Sequence, residues 1–103
     1  AMEMVLNNRT LDAEEALRFG LINRVVPVER CEGEALALAA EIAGRAPVAI
    51  RFAKQAVNNA FETPLSQGIA EERRAFYFLF ATDDQAEGMR AFIDKRDPQW
   101  KGE

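Results

Sequence analysis

Phe80-Ala81-Thr82-Asp83-Asp84-Gln85-Ala86-Glu87-Gly88-Met89-Arg90-Ala91-Phe92-Ile93-Asp94-Lys95-Arg96 reads as a helix from end to end. Thr82 is a capping residue type, and Gln85 three positions on completes a capping box. Asp83 and Asp84 place negative charge at the positive end of the helix dipole. Lys95 and Arg96 place positive charge at the other end. Met89, Phe92 and Ile93 form one stripe, the expected buried face. The signals predict a helix over Asp83 to Arg96, ended by Pro98.

The residues before it carry similar signals. Thr63 as N-cap and Pro64 as first helical residue open a helix reaching about Ala81. Gly68 inside it costs about 1 kcal/mol relative to alanine. A close helix–helix approach would account for a glycine there. Pro47 suits the first turn of a helix running to about Phe61. Phe52, Ala56 and Ala60 share one of its faces; Ile50, Val57 and Phe61 share another. From about Glu29 to Gly44 the chain is rich in Ala, Leu and Glu, with Cys31, Ala35, Leu38 and Ile42 on one face. Asp12 with Glu15 makes a second capping box, opening a short helix that stops at Gly20. Met2 to Leu6 reads as a helix end without a start signal, so the chain is expected to begin inside an element, as a truncated or proteolysed piece would. Val25-Val26-Pro27-Val28 is the one β-branched cluster, and Pro27 interrupts it. The expected fold class is all-α, four long helices and short pieces, in a single domain over residues 1–103.

Composition narrows the function. The chain of 103 residues is 49% apolar and 29% charged, ordinary for a globular protein. A net charge of −4 with no basic stripe argues against nucleic acid. The longest apolar block, Ala75 to Ala81, is far too short for a membrane span. No signal peptide is evident, and the expected location is the cytoplasm. A single cysteine, Cys31, excludes an internal disulfide and fits a reducing compartment. Without histidine, a zinc site and a Cys–His nucleophile are both excluded.

Phe76-Tyr77-Phe78-Leu79-Phe80 sets large apolar side chains in succession, pointing all round a helix. Leu65, Ile69, Phe76 and Phe80 are expected to pack on neighbouring helices. Phe78 and Leu79 then need another cover: a second subunit, a further domain, or a flat ligand such as an adenine ring. Trp100 reads either as tail packing or as an intersubunit anchor.

The stretch from Phe80 to Arg96 resembles the C-terminal signature of the enoyl-CoA hydratase/isomerase (crotonase) family, F-A-T-x-D-x-x-E-G-M-x-A-F-x-E-K-R. Asp94 in place of glutamate is the one departure. The resemblance continues in order along the chain, through Ala1 to Leu6, Leu11 to Ala16, Gly20 to Pro27, Ala53 to Asn58 and Leu65 to Glu71. It implies the all-α C-terminal helical (oligomerisation) domain of such an enzyme, without the family's β/α spiral core. The implied function is part of an enoyl-CoA hydratase-like lyase acting on 2,3-unsaturated acyl-CoA thioesters. This region would serve oligomer assembly, as a trimer or hexamer, and contribute to CoA binding. CoA enters as part of the substrate, and no cofactor or metal is implied.

The candidate chemistry divides accordingly. Hydration needs one carboxylate to activate water and one group to deliver a proton. The family's two glutamates and its oxyanion hole lie upstream of the residues present here, so no catalytic residue is assigned. Glu71 and Glu72 with Arg73 and Arg74 read as a solvated helix face. By resemblance, Phe76 and Lys95 match positions that contact the adenine and 3′-phosphate end of CoA, often that bound by a neighbouring subunit. An aromatic face suits adenine and an ammonium suits phosphate. Two alternatives stand beside this: a free-standing helical interaction module, and the same region of a family isomerase or thioester hydrolase.

Overall fold

Helix signals dominate the sequence, and the computed structural model, which describes residues 1–103, is helical without a strand. Helix α1 spans Met2–Asn7, α2 Ala13–Arg18, α3 Cys31–Ala43, α4 Pro47–Asn59, α5 Leu65–Leu79 and α6 Asp83–Asp94. A 3-10 turn, Val28–Arg30, leads into α3. The four long helices are those expected. No helix is long and apolar enough to cross a membrane.

The chain divides into two compact units, Ala1–Leu36 and Ala37–Glu103. In the first, Asp12 caps α2 by accepting from the Glu15 N–H at 2.7 Å. The reciprocal half of the capping box is absent, because the Glu15 carboxylate turns to Arg9 at 2.8 Å and to Arg18 at 3.7 Å. A guanidinium is the stronger partner for a carboxylate than a backbone amide. Gly20, at φ +73°, closes α2 as the Leu21 N–H reaches back to the Ala16 carbonyl.

In the second unit, α4 and α5 form an antiparallel hairpin. Phe52 meets Phe78 near one end of it, ring centroids 5.4 Å apart. Near the other, Asn59 Nδ2 donates to Glu71 Oε2 at 2.8 Å. Thr63 does not cap α5. Its hydroxyl donates to the Asn59 carbonyl at 2.9 Å, closing α4, and Pro64 is the N-cap instead. The Asn59 carbonyl thus gathers three donors, the Glu62 and Thr63 N–H groups and the Thr63 hydroxyl, at the end of the helix.

Little of the apolar surface is covered. Ala16 and Ala91 are the only buried apolar residues. Two expectations fail here. Leu65, Ile69, Phe76 and Phe80 stay largely exposed rather than buried on neighbours, and so does the stripe Met89, Phe92, Ile93, with Phe92 at 81%. Helix α6 instead turns inward its small and polar side, Asp84, Gly88 and Ala91. Periodicity marks a face that needs cover, but the cover need not come from the same chain.

Candidate functional site

The inward side of α6 is built around the C-terminal tail. Asp84, 4% exposed, accepts from the Lys101 N–H at 2.7 Å and the Gly102 N–H at 3.0 Å. Its own N–H donates to the Glu103 carbonyl. A carboxylate in the first helical turn also suits the dipole. Trp100 lies over Gly88, and its indole N–H donates to the Gly44 carbonyl at 2.9 Å. Trp100 is therefore tail packing, one of the two roles open to it.

Between α4, α5 and the start of α6 lies an apolar hollow of about 380 Å³, lined among others by Val48, Phe76, Leu79, Phe80, Met89 and Trp100. Phe76 is 56% exposed and meets Phe80 edge-on, centroids 5.2 Å apart. More than half of the residue's surface is thus open. A second hollow, about 320 Å³, follows the α4–α5 seam past Phe52, Glu71 and Phe78. There the Glu71 carboxylate takes amide donors from Asn59 and Gln67, while no charged partner engages it.

The C-terminal end of α6 differs from its expected form. The helix stops at Asp94, so Lys95 and Arg96 lie beyond it rather than in its last turn. Lys95 adopts φ 53°, ψ 41°, the left-handed conformation, at a position that usually holds glycine. Its N–H donates toward Phe92 and the Arg96 N–H to Ala91, the paired bonds of a Schellman motif. Left-handed backbone costs a residue with a Cβ about 1–2 kcal/mol.

Arg96 then folds back along the helix. Its two terminal nitrogens reach the two oxygens of Glu87 at 2.6 and 3.0 Å, a bidentate fork. The Gln99 N–H also donates to Glu87, at 2.8 Å. These two bonds, the guanidinium's first, hold the Glu87 carboxyl down at about 2. The pair in turn raises Arg96. Asp94 leans on Arg96 as well, at 3.6 Å. Lys95 engages none of these carboxylates; its side chain is exposed and projects without an ion pair.

Of the two expected contact residues, Phe76 lines the apolar hollow and Lys95 does not. The chain does not bring them into one pocket. Glu87 and Gly88 stand inside the quoted signature, yet their partners Arg96, Gln99 and Trp100 lie across a turn. No regular helical spacing links them, so periodicity could not expose the roles.

Known proteins give the site its context. The enoyl-CoA hydratase/isomerase family profile matches residues 1–103. A Mycobacterium tuberculosis protein named probable enoyl-CoA hydratase echA8 is 53% identical over 100 residues, covering 97% of this chain and 39% of that protein. The 2,3-dehydroadipyl-CoA hydratase of Escherichia coli is 40% identical over 102 residues, covering 99% and 40%. In structure, enoyl-CoA hydratase subunit I of Geobacillus kaustophilus superposes with a TM-score of 0.92 at 41% identity, over 99% of this chain and 40% of that one. The chain thus spans about 40% of the length of these relatives, and its helices correspond to the C-terminal helical part of the crotonase fold. Matched along its whole length in sequence, and over 99% of it in fold, the chain belongs to the enoyl-CoA hydratase/isomerase family.

Proposed function

We propose that this chain is the C-terminal helical region of an enzyme that adds water across the 2,3 double bond of an acyl-CoA thioester. The observation that carries the reading is the match of the entire chain to about 40% of proteins named enoyl-CoA hydratases. The catalytic carboxylates and oxyanion hole come from residues outside this chain. Within it, two tasks remain. The first is assembly: the exposed stripe of Met89, Phe92 and Ile93 and the rings of Phe78 and Tyr77 need cover, which another subunit of a trimer or hexamer would supply. The second is substrate contact. Phe76 offers a ring face for the adenine of CoA, and Lys95 a free ammonium for its 3′-phosphate. Support for Lys95 is its strained backbone: a lysine kept where glycine fits better points to a use for its side chain.

Crotonyl-CoA hydration, followed by loss of the enoyl-thioester absorbance, tests the reading. The full-length enzyme is expected to turn over and the isolated 103 residues to be inactive. Turnover by the isolated residues that vanishes in Glu71→Gln or Glu72→Gln would overturn it. Assembly is read by sedimentation: a compact monomer at about tens of micromolar would sink the intersubunit role of this surface. The family's description also covers isomerases. Full-length enzyme that shifts a 3,4 double bond to the 2,3 position without hydrating crotonyl-CoA would favour that second reading.

A further inference from the structure

The turn after α6 puts two cations side by side, and the structure treats them oppositely. Arg96 engages two carboxylates: both oxygens of Glu87, at 2.6 and 3.0 Å, and Asp94 at 3.6 Å. Lys95 is left with none. Glu87 sits two turns back on α6, and its carboxylate ties the segment after the turn back to the helix, through Arg96 and through the Gln99 N–H. Lys95 lies between the helix end and those two anchors, held left-handed at φ 53°.

We infer that Glu87 is a positioning residue for CoA binding: by forking Arg96 and tying Gln99 it fixes the strained turn that presents the Lys95 ammonium to the phosphate of the CoA nucleotide. The inference rests on the contact proposed above for Lys95. Two physical effects combine. A turn fixed at both ends loses less freedom on binding than a loose one. And a carboxylate engaged by arginine does not compete with phosphate for the neighbouring lysine. Arg96, in this arrangement, is a strut rather than a ligand.

The test uses the full-length enzyme, with a CoA thioester and the matching pantetheine thioester, which lacks the nucleotide. Lys95→Ala is expected to raise KM for the CoA ester about tenfold, the loss of one charge-assisted hydrogen bond, with kcat and the pantetheine KM unchanged. Glu87→Gln is expected to raise the CoA-ester KM about three- to fivefold, again without moving the pantetheine KM. In the Lys95→Ala background the same Glu87→Gln change should have no further effect on the CoA ester, since it acts through Lys95. Arg96→Lys, which keeps the charge and loses the fork, gives the same pattern in weaker form and serves if Glu87→Gln does not fold. A CoA-ester KM that Glu87→Gln leaves unchanged, or raises equally for both esters, overturns the positioning role while Lys95→Ala still reports the contact. A lower CoA-ester KM in Glu87→Gln also overturns it, since a freed Arg96 would then be the phosphate ligand. If Lys95→Ala itself leaves the CoA ester unaffected, the contact fails, and the positioning role with it.

Discussion

The indole of Trp100 lies so close over Gly88 that a Cβ added there would stand 3.2 Å from Cη2 and 3.3 Å from Cζ3. A glycine in mid-helix, unfavourable by propensity, is what lets the tail lie down on α6.

Gly88→Ala therefore sets two effects against each other. Helix propensity favours alanine by about 1 kcal/mol. The clash forces the ring to give, and the ring is pinned by its N–H bond to Gly44 and by the Asp84 grip on the next two residues. We expect the clash to win, with a net loss of about 1 kcal/mol. In a Trp100→Ala background the sign should reverse, and Gly88→Ala should stabilise by about 1 kcal/mol. Urea unfolding of the four proteins checks both signs; the same sign in both backgrounds would show that Trp100 is free to move.

Asp84→Ala should cost about 2 kcal/mol, since a largely buried carboxylate there serves two backbone donors. The local consequence is sharper than the global one. Hydrogen exchange at the Lys101 and Gly102 amides should accelerate far more than exchange in the middle of α5. Uniform acceleration across the chain would contradict a local clamp.

Acid should loosen the turn after α6. Folded Glu87 holds its proton only near pH 2, against an ordinary value of 4.5. Between those values the unfolded chain binds more protons than the folded one, so stability falls as pH falls through that interval and is fully present above it. Glu87→Gln should be less stable than the native chain at neutral pH and should show a flatter stability profile between pH 4.5 and 2. Parallel profiles for the two proteins would remove Glu87 from the account.

Lys95→Gly should raise stability by about 0.5–1 kcal/mol, because glycine takes φ 53° without a Cβ conflict. Lys95→Ala keeps that conflict and should bring no such gain. Thermal unfolding of the two variants separates backbone relief from loss of charge. Lys95→Gly would then be the more stable protein and, on the function proposed above, the poorer binder of CoA.

The sequence made the helices legible because their ends are written in local chemistry. Asp12 and Thr82 cap where expected, Gly20 terminates where expected, and the four long helices lie within a few residues of their predicted spans. What could not be read was which face each helix covers. Met89, Phe92 and Ile93 look like a core stripe, yet in this chain all three stay exposed, Met89 at the edge of the apolar hollow. The inward side is chosen by a tail tryptophan that fits over small residues, a matter of shape rather than hydropathy. Thr63 illustrates the other gap. A hydroxyl between two helices can serve either, and here it joins two backbone donors on the Asn59 carbonyl of the preceding helix. For the site, Phe76 and Lys95 were suggested by resemblance alone. The fork between Glu87 and Arg96 needed the left-handed turn at Lys95, which no glycine announces.

Asp84 grips residues 101 and 102 through their backbone N–H groups, and all of its hydrogen bonds to the tail are to peptide groups. Such a hold is indifferent to spelling. Residues 101 and 103 can drift freely in composition without loosening it, whereas position 102, at φ +81°, stays tied to glycine and position 100 to a ring of indole size. A tail fastened in this way can change its charge, and so its outward chemistry, from one descendant protein to the next while its path stays the same.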